Sequence, residues 1–299
     1  MKKTTKNPGA GSKQPAQRKV PLELRIIRWY FRIVGRLLPT MAARKAYKFW
    51  FRTRRFSEPQ RETRWLELAT RKLVEHRHGP LAAMQWGESG PTVLLVHGWN
   101  GRGSQMGAFA APLVQAGFRV VAYDLPAHGR SPGNSTNIFK AIETLEAVAE
   151  IYGPIHAVIG HSFGAMVIAL ALKGGLQAKC VVCIGTPGSL QWLYKNFVGY
   201  LAIPEAALEI LNNMINAEFG ADIWDRLSVT TASQKLTTPA LIIHDEFDAD
   251  VDWTEAETIA KSWQGARFIK TSGLGHRRIL REPNIVDTVV DFINKNNSI

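Results

Sequence analysis

From residue 78 onward, short β-branched or apolar runs alternate with longer amphipathic stretches, and this alternation limits the fold more than any other feature of the chain. The runs that read as strands are Leu81–Trp86, Thr92–Gly98, Phe118–Leu125, His156–His161, Lys179–Gly185, Pro239–Asp245 and Ala266–Thr271. Helical patterns occupy Ser104–Ala116, Asn137–Tyr152, Phe163–Lys173, Thr254–Trp263 and Pro283–Lys295. Thr92–Gly98 is apolar almost throughout, as a strand covered on both faces must be. Such alternation predicts an α/β fold, a mostly parallel twisted sheet with helices on both faces. It stops between about Ser189 and Thr237, where two amphipathic helices are expected instead. That interruption reads as a helical cap over the carboxyl edge of the sheet, where ligands bind in folds of this kind.

One stretch inside the alternation carries chemistry. Val158–Leu172, VIGHSFGAMVIALAL, passes from a strand into a helix through Gly160-His161-Ser162-Phe163-Gly164. A serine at so tight a turn is held in a strained conformation, and side chains two positions before and after it would meet neighbouring backbone, so glycine takes both places. The hydroxyl then stands exposed at the strand's end, facing the N–H groups and positive pole of the following helix. A serine hydroxyl is a poor nucleophile unless a base takes its proton. His276, in TSGLGHRRIL, follows the last strand and suits that role. The acid that would orient it lies in LIIHDEFDADVDW, where Asp245, Asp248, Asp250 and Asp252 compete. The bland alternatives are a structural turn serine at Ser162 and a hydrogen-bonded loop histidine at His276.

With these motifs in order, residues 80–296 resemble the α/β-hydrolase family, in its serine hydrolase branch of esterases, lipases and thioesterases. The resemblance rests on His97-Gly98-Trp99-Asn100-Gly101, on Asp124-Leu125-Pro126-Ala127-His128-Gly129-Arg130-Ser131, on the GxSxG turn, and on a late Asp followed by His. It implies a helical cap inserted between the sixth and seventh strands. It selects Asp248 as the acid, three residues beyond the strand-end Asp245 and ahead of Val251. The alternative family position, after the preceding strand, reads IGTPG and holds no acid. By resemblance Ser162, Asp248 and His276 form a catalytic triad, and the backbone N–H groups of Trp99 and Phe163 form the oxyanion hole. Asp124 and His128 are expected to shape the loop under the site, and His97 and His161 to make supporting hydrogen bonds.

Serine at the turn, rather than the aspartate of dehalogenating or epoxide-opening relatives, implies acyl transfer to water from a carboxylic ester or thioester. The expected product route runs through an acyl-enzyme intermediate. Trp99, Trp192 and Phe197 are expected to line a pocket for an apolar acyl group. An acyltransferase or lyase using the same triad, and a non-catalytic hydrolase-like protein at a membrane surface, stand as alternatives. No cofactor is expected. His76 and His78 read as sharing a strand face, but no third ligand is evident, so no metal is expected.

Charge divides the chain unevenly. The formal net charge is +12. Residues 1–60 hold 16 Lys and Arg against 2 acids, and the remaining residues 21 against 23. The basic character therefore belongs to an N-terminal arm and says little about the site. The expected organisation is a disordered basic tail at 1–19, an amphipathic helical arm at 20–60, a hydrolase core at 61–188 and 238–299, and the cap at 189–237. Within Pro21–Leu38, Arg25, Arg28, Arg32 and Arg36 share one helical face, and Pro39 ends or kinks the helix. A second basic helix is expected from Met41 to about Phe51. The arm, residues 20–52, admits two readings: a helix lying in the interface of an anionic membrane, or one packed on the body with arginines in solvent. The expected location is cytoplasmic, with the inner membrane surface as a partner under the first reading. No apolar run is long enough to span a bilayer, and arginines interrupt every candidate secretory core. Nothing in the body matches a nucleic-acid recognition module, so no nucleic acid is expected. Cys180 and Cys183 lie three apart in a strand, pointing to opposite faces, and are expected to be buried thiols.

Overall fold

A computed structural model describes residues 21–297. The tail expected at 1–19 lies outside the described residues. Three helices lead: α1 (Leu22–Leu37), α2 (Pro39–Phe51) and α3 (Gln60–Glu67). Strands β1 (Thr70–Val74), β2 (Leu81–Trp86) and β3 (Thr92–Val96) follow, then a 3₁₀ turn at Gly103–Phe109, α4 (Ala110–Gln115), β4 (Arg119–Tyr123) and α5 (Ile138–Tyr152). The centre of the chain is β5 (Ile155–His161), α6 (Phe163–Gly174) and β6 (Cys180–Ile184). Helices α7 (Leu190–Leu201), α8 (Glu205–Phe219), α9 (Ile223–Arg226) and α10 (Val229–Ser233) fill the interval before β7 (Ala240–Asp245). The chain ends through α11 (Trp253–Ser262), β8 (Arg267–Thr271), α12 (Gly275–Arg278) and α13 (Pro283–Lys295).

The strands form one eight-stranded sheet in the order β1-β2-β4-β3-β5-β6-β7-β8. The pairs β1–β2 and β2–β4 are antiparallel and all others parallel. Side-chain alternation along each strand feeds two separate cores. Leu94, Val96, Val158 and Cys183 pack on one face, and Val93, Leu95, Ile159 and Cys180 on the other. The two cysteines are thus free, buried and on opposite sides.

Register matters most at the carboxyl edge. Val96 pairs with Gly160, His161 with Ile184, and Asp245 with Thr271. The ends of β3, β5, β6, β7 and β8 therefore lie side by side, and loops leaving them converge.

β1 has no counterpart among the expected strands. Four of its five residues, Thr70–Leu73, are exposed, and only Val74 is buried. An edge strand rich in charge presents neither alternation nor an apolar run. His76 and His78 lie beyond it in a turn, not on a strand face, and His78 Nε2 pairs with the Glu143 carboxylate. The helix expected at Ser104–Ala116 divides into the 3₁₀ turn and α4.

Candidate active site

β5 hands over to α6 at Ser162, whose φ of 52° and ψ of −116° place a side-chain-bearing residue in a region that costs strain. Its neighbours explain how the turn closes. A Cβ on Gly160 would come within 2.7 Å of the Ala165 backbone, and one on Gly164 within 2.3 Å of the Val96 carbonyl oxygen. The Ser162 N–H donates to the Ile184 carbonyl at 2.8 Å, tying the turn to the end of β6. α6 then runs through the interior, buried from Phe163 to Leu172. Its N-terminus points backbone N–H groups at the serine. Among the described residues, the N–H groups of Phe163 and Trp99 donate to no protein acceptor. The Trp99 indole packs edge-on against the Phe163 ring, with centroids 5.1 Å apart.

His276 is the second residue of the short α12 beyond β8. Its Nδ1 donates to Asp248 Oδ2 at 2.6 Å, and both side chains are largely buried. The other Asp248 oxygen accepts the N–H groups of Asp250 at 2.8 Å and Val251 at 3.0 Å. Burial pushes the Asp248 carboxyl up, but hydrogen bonds from His244 and His276 outweigh it and hold the group well below the usual carboxylate range. The competing acids have other partners. Asp245 accepts from Thr271 Oγ1 and from the Leu274 and Phe247 N–H groups, fixing the loop that carries His276. Asp250 pairs with Arg277 at 2.9 Å, and Asp252 caps α11 by accepting the Thr254 N–H.

Gly185, at the end of β6, adopts φ of 65°, and a Cβ there would lie 3.3 Å from His276 Nδ1 and Cε1. The imidazole therefore sits directly against backbone. Behind it, His161 Nε2 donates to the His276 carbonyl at 2.8 Å, and the two rings pack with centroids 4.5 Å apart. Burial and the neighbouring His276 lower the His161 pKa to about 3, so its ring stays neutral. His97 is also neutral: burial, then the nearby His128, depress its pKa. Its Nδ1 donates to the Gly98 carbonyl while Nε2 accepts the Leu125 N–H, which joins the loops after β3 and β4. Asp124 accepts the N–H groups of Gly103 and Arg130 and braces the same loops.

Ser162 opens into a cavity of about 240 Å³ with a mostly apolar wall. Trp99 and Phe163 line it from the core, Leu190, Leu193 and Phe197 from α7, and Ile215 and Phe219 from α8. Trp192 does not line it. Leu190, Leu193 and Phe197 recur at helical spacing on the inner side of α7, whereas Trp192 lines a separate open cleft beside Asp248–Trp253.

Two contributions escaped the sequence reading. His244, fully buried on β7, has Nε2 3.1 Å from the Val251 carbonyl and 3.2 Å from Asp248 Oδ2. A histidine inside an otherwise apolar strand was the available signal. Phe49, Trp50 and Phe51, at the end of α2, close the cavity from the arm. Their signal was an aromatic run ending a basic helix, and only packing of α2 on α8 assigns it to this cavity.

Comparison with known proteins agrees with the architecture. Residues 93–286 match the model of the alpha/beta hydrolase family, and the chain belongs to that family. A pimeloyl-[acyl-carrier protein] methyl ester esterase from Methylococcus capsulatus is 38% identical over 102 residues, 33% of this chain and only 38% of that relative's length. Another of the same name, from Aromatoleum aromaticum, is 24% identical over 252 residues, 68% of this chain and 98% of its own. Among solved structures, a membrane phospholipase A described as a bacterial virulence factor superposes with a TM-score of 0.61 at 19% identity, covering 93% of this chain and 98% of its own. The thioesterase domain of the curacin biosynthetic pathway gives 0.56 at 19% identity over 75% and 98% of the two chains. An esterase from Rhodococcus gives 0.55 at 17%, over 76% and 98%. These structural likenesses concern the fold.

Proposed function

We propose that this hydrolase cleaves carboxylic esters or thioesters carrying an apolar acyl group, with Ser162 as nucleophile, His276 as general base and Asp248 as the acid that orients it. The observation that carries the reading is a strained, helix-backed serine opening into an apolar cavity, with the buried His276–Asp248 pair packed against His161, the residue just before the serine. Esterase names among the relatives support the reaction class.

In this mechanism Ser162 Oγ attacks the acyl carbonyl while His276 Nε2 takes its proton. The carbonyl oxygen becomes an oxyanion, and the N–H groups of Trp99 and Phe163 are the donors available for it. Asp248 keeps the His276 Nδ1–H directed at itself and offsets the charge of the imidazolium. As the tetrahedral intermediate collapses, His276 returns the proton to the leaving alcohol or thiol, and the acyl group remains on Ser162. Water then repeats the sequence and releases the acid. The aromatic and aliphatic wall favours an acyl chain over a polar or charged group.

The test is labelling by a fluorophosphonate probe, together with hydrolysis of p-nitrophenyl esters of rising chain length. Wild type is expected to label and to hydrolyse medium acyl chains faster than acetate. Absence of labelling, or equal labelling of Ser162→Ala, would sink the reading.

A further inference from the structure

The outer face of α1 is apolar and, among the described residues, has no protein partner. Leu22, Ile26, Trp29, Ile33 and Leu37 are all exposed, Trp29 at 65% and Leu37 at 74%. They recur at spacings of four, three, four and four, so at 3.6 residues per turn they project within about 80° of one another. Leu38 and Met41, also exposed, continue the apolar surface into the junction with α2. The opposite face holds α1 on the body: Leu24, Phe31 and Gly35 are buried, and Gly35 lies so close to Pro204 that a Cβ would meet its ring at 2.5 Å. Arg28, between the two faces, donates to the Tyr200 carbonyl at 2.7 Å. The helix therefore lies flat, one side seated on α7 and α8 and the other bare.

Arg25, Arg32 and Arg36 occupy the sector beside the bare stripe, exposed and, among the described residues, in no ion pair. Residues 21–57 hold ten Lys and Arg and a single acid, Glu23. An apolar stripe of this length costs free energy in water, and scattered exposed residues would not align along one side of a helix. Aliphatic and Trp side chains bordered by arginines are complementary to a layer with an acyl interior and anionic headgroups. No described helix is long and apolar enough to cross a membrane, which leaves a helix lying in the plane of the surface.

We infer that the bare face of α1 docks the protein on an anionic lipid surface. The stripe enters the boundary between headgroups and acyl chains, and Arg25, Arg32 and Arg36 meet the headgroup phosphates. This is independent of the chemistry at Ser162, although α2, next in the chain, helps to wall the acyl cavity.

The test is co-sedimentation of the full chain with vesicles of phosphatidylcholine alone and with one-third phosphatidylglycerol, at low and high salt. Wild type is expected to partition at least tenfold more onto the anionic vesicles, with the difference shrinking as salt rises. Trp29→Ser with Ile33→Ser is expected to weaken this binding tenfold or more. Charge reversal of Arg25, Arg32 and Arg36 to Glu is expected to do the same and to remove the salt dependence. Unchanged thermal midpoints identify these as surface effects, and Ser162→Ala is expected to bind as wild type does. Equal partitioning onto the two vesicle types would overturn the inference, as would wild-type binding by the stripe variants. Binding lost only on deletion of residues 1–19 would overturn it too, by assigning the contact to the tail.

Discussion

α6 and α1 are both rich in apolar residues, yet the molecule uses them in opposite ways. α6 is buried on every side from Phe163 to Leu172, and glycines at its approach allow backbone contacts that no side chain would permit. α1 buries one narrow face and leaves the other open. A helix enclosed by sheet and helices has one position, and it holds the Ser162 turn rigidly against the ends of β3 and β6. A helix seated on one face keeps a surface for something outside the chain. The contrast teaches that apolar content alone does not separate scaffold from docking surface; the number of covered faces does.

The sharpest test of the enclosed region is chemical. Ser162→Ala is expected to lower ester hydrolysis by at least about 10⁴-fold while leaving the thermal midpoint nearly unchanged, since in the proposed mechanism the hydroxyl serves the chemistry and not the packing. Steady-state rates and a melt on the same sample check both halves. Asp248→Asn is expected to lower kcat by about 10²- to 10⁴-fold, because the amide cannot hold the His276 tautomer or offset its charge. A KM little changed would accompany that loss.

Stability separates the two helices next. Gly164→Ala pushes a methyl group to within 2.3 Å of the Val96 carbonyl, which cannot yield, and is expected to cost about 3 kcal/mol in a urea titration. Gly35→Ala on α1 meets the Pro204 ring instead, at the junction with the cap. Its expected cost is smaller, about 1 kcal/mol, partly offset by the helix preference of alanine. Equal costs would erase the distinction between an enclosed helix and a seated one.

The enclosed region also sets a pH response. His97, His128 and His161 have depressed pKa values through burial, His128 to about 4 and His161 to about 3. Below the ordinary histidine pKa near 6.5 the unfolded chain takes up protons that the folded chain refuses. Stability is therefore complete above about pH 6.5 and falls as pH drops toward 5, by at most about 1.4 kcal/mol per pH unit for each histidine. Denaturant midpoints measured across that window check the slope, and a flat profile would contradict neutral burial. The smallest expected effect lies in the cap: a Cβ on Gly199 meets nothing within 4 Å, so Gly199→Ala is expected to stabilise by up to about 1 kcal/mol.

Much of the fold was legible because local patterns and tertiary burial coincide. Runs such as Thr92–Val96 and Cys180–Ile184 are apolar because both sheet faces are covered, and burial of every residue in them agrees. β1 was not legible, since an exposed edge imposes no apolar pattern. At the candidate site, the glycines around Ser162 record a local steric demand and can be read from five residues. The acid is different. Asp245, Asp248, Asp250 and Asp252 are chemically alike and close in sequence. Only the folded loop gives Asp248 the 2.6 Å approach to His276, while Asp245 turns to brace the loop and Asp252 caps α11.

The sequence by itself determined the alternating sheet, the serine turn and the amphipathic character of the arm, because each depends on residues adjacent in the chain or one helical turn apart. Tertiary structure alone decided that His244 supports Asp248, that Phe49, Trp50 and Phe51 wall the cavity, and that Trp192 faces elsewhere. It also decided which side of α1 stays bare, since helical periodicity marks the apolar side chains but not which of them find a neighbour. Those contacts join segments far apart in the chain, and their geometry is set by packing between elements, on which local pattern is silent.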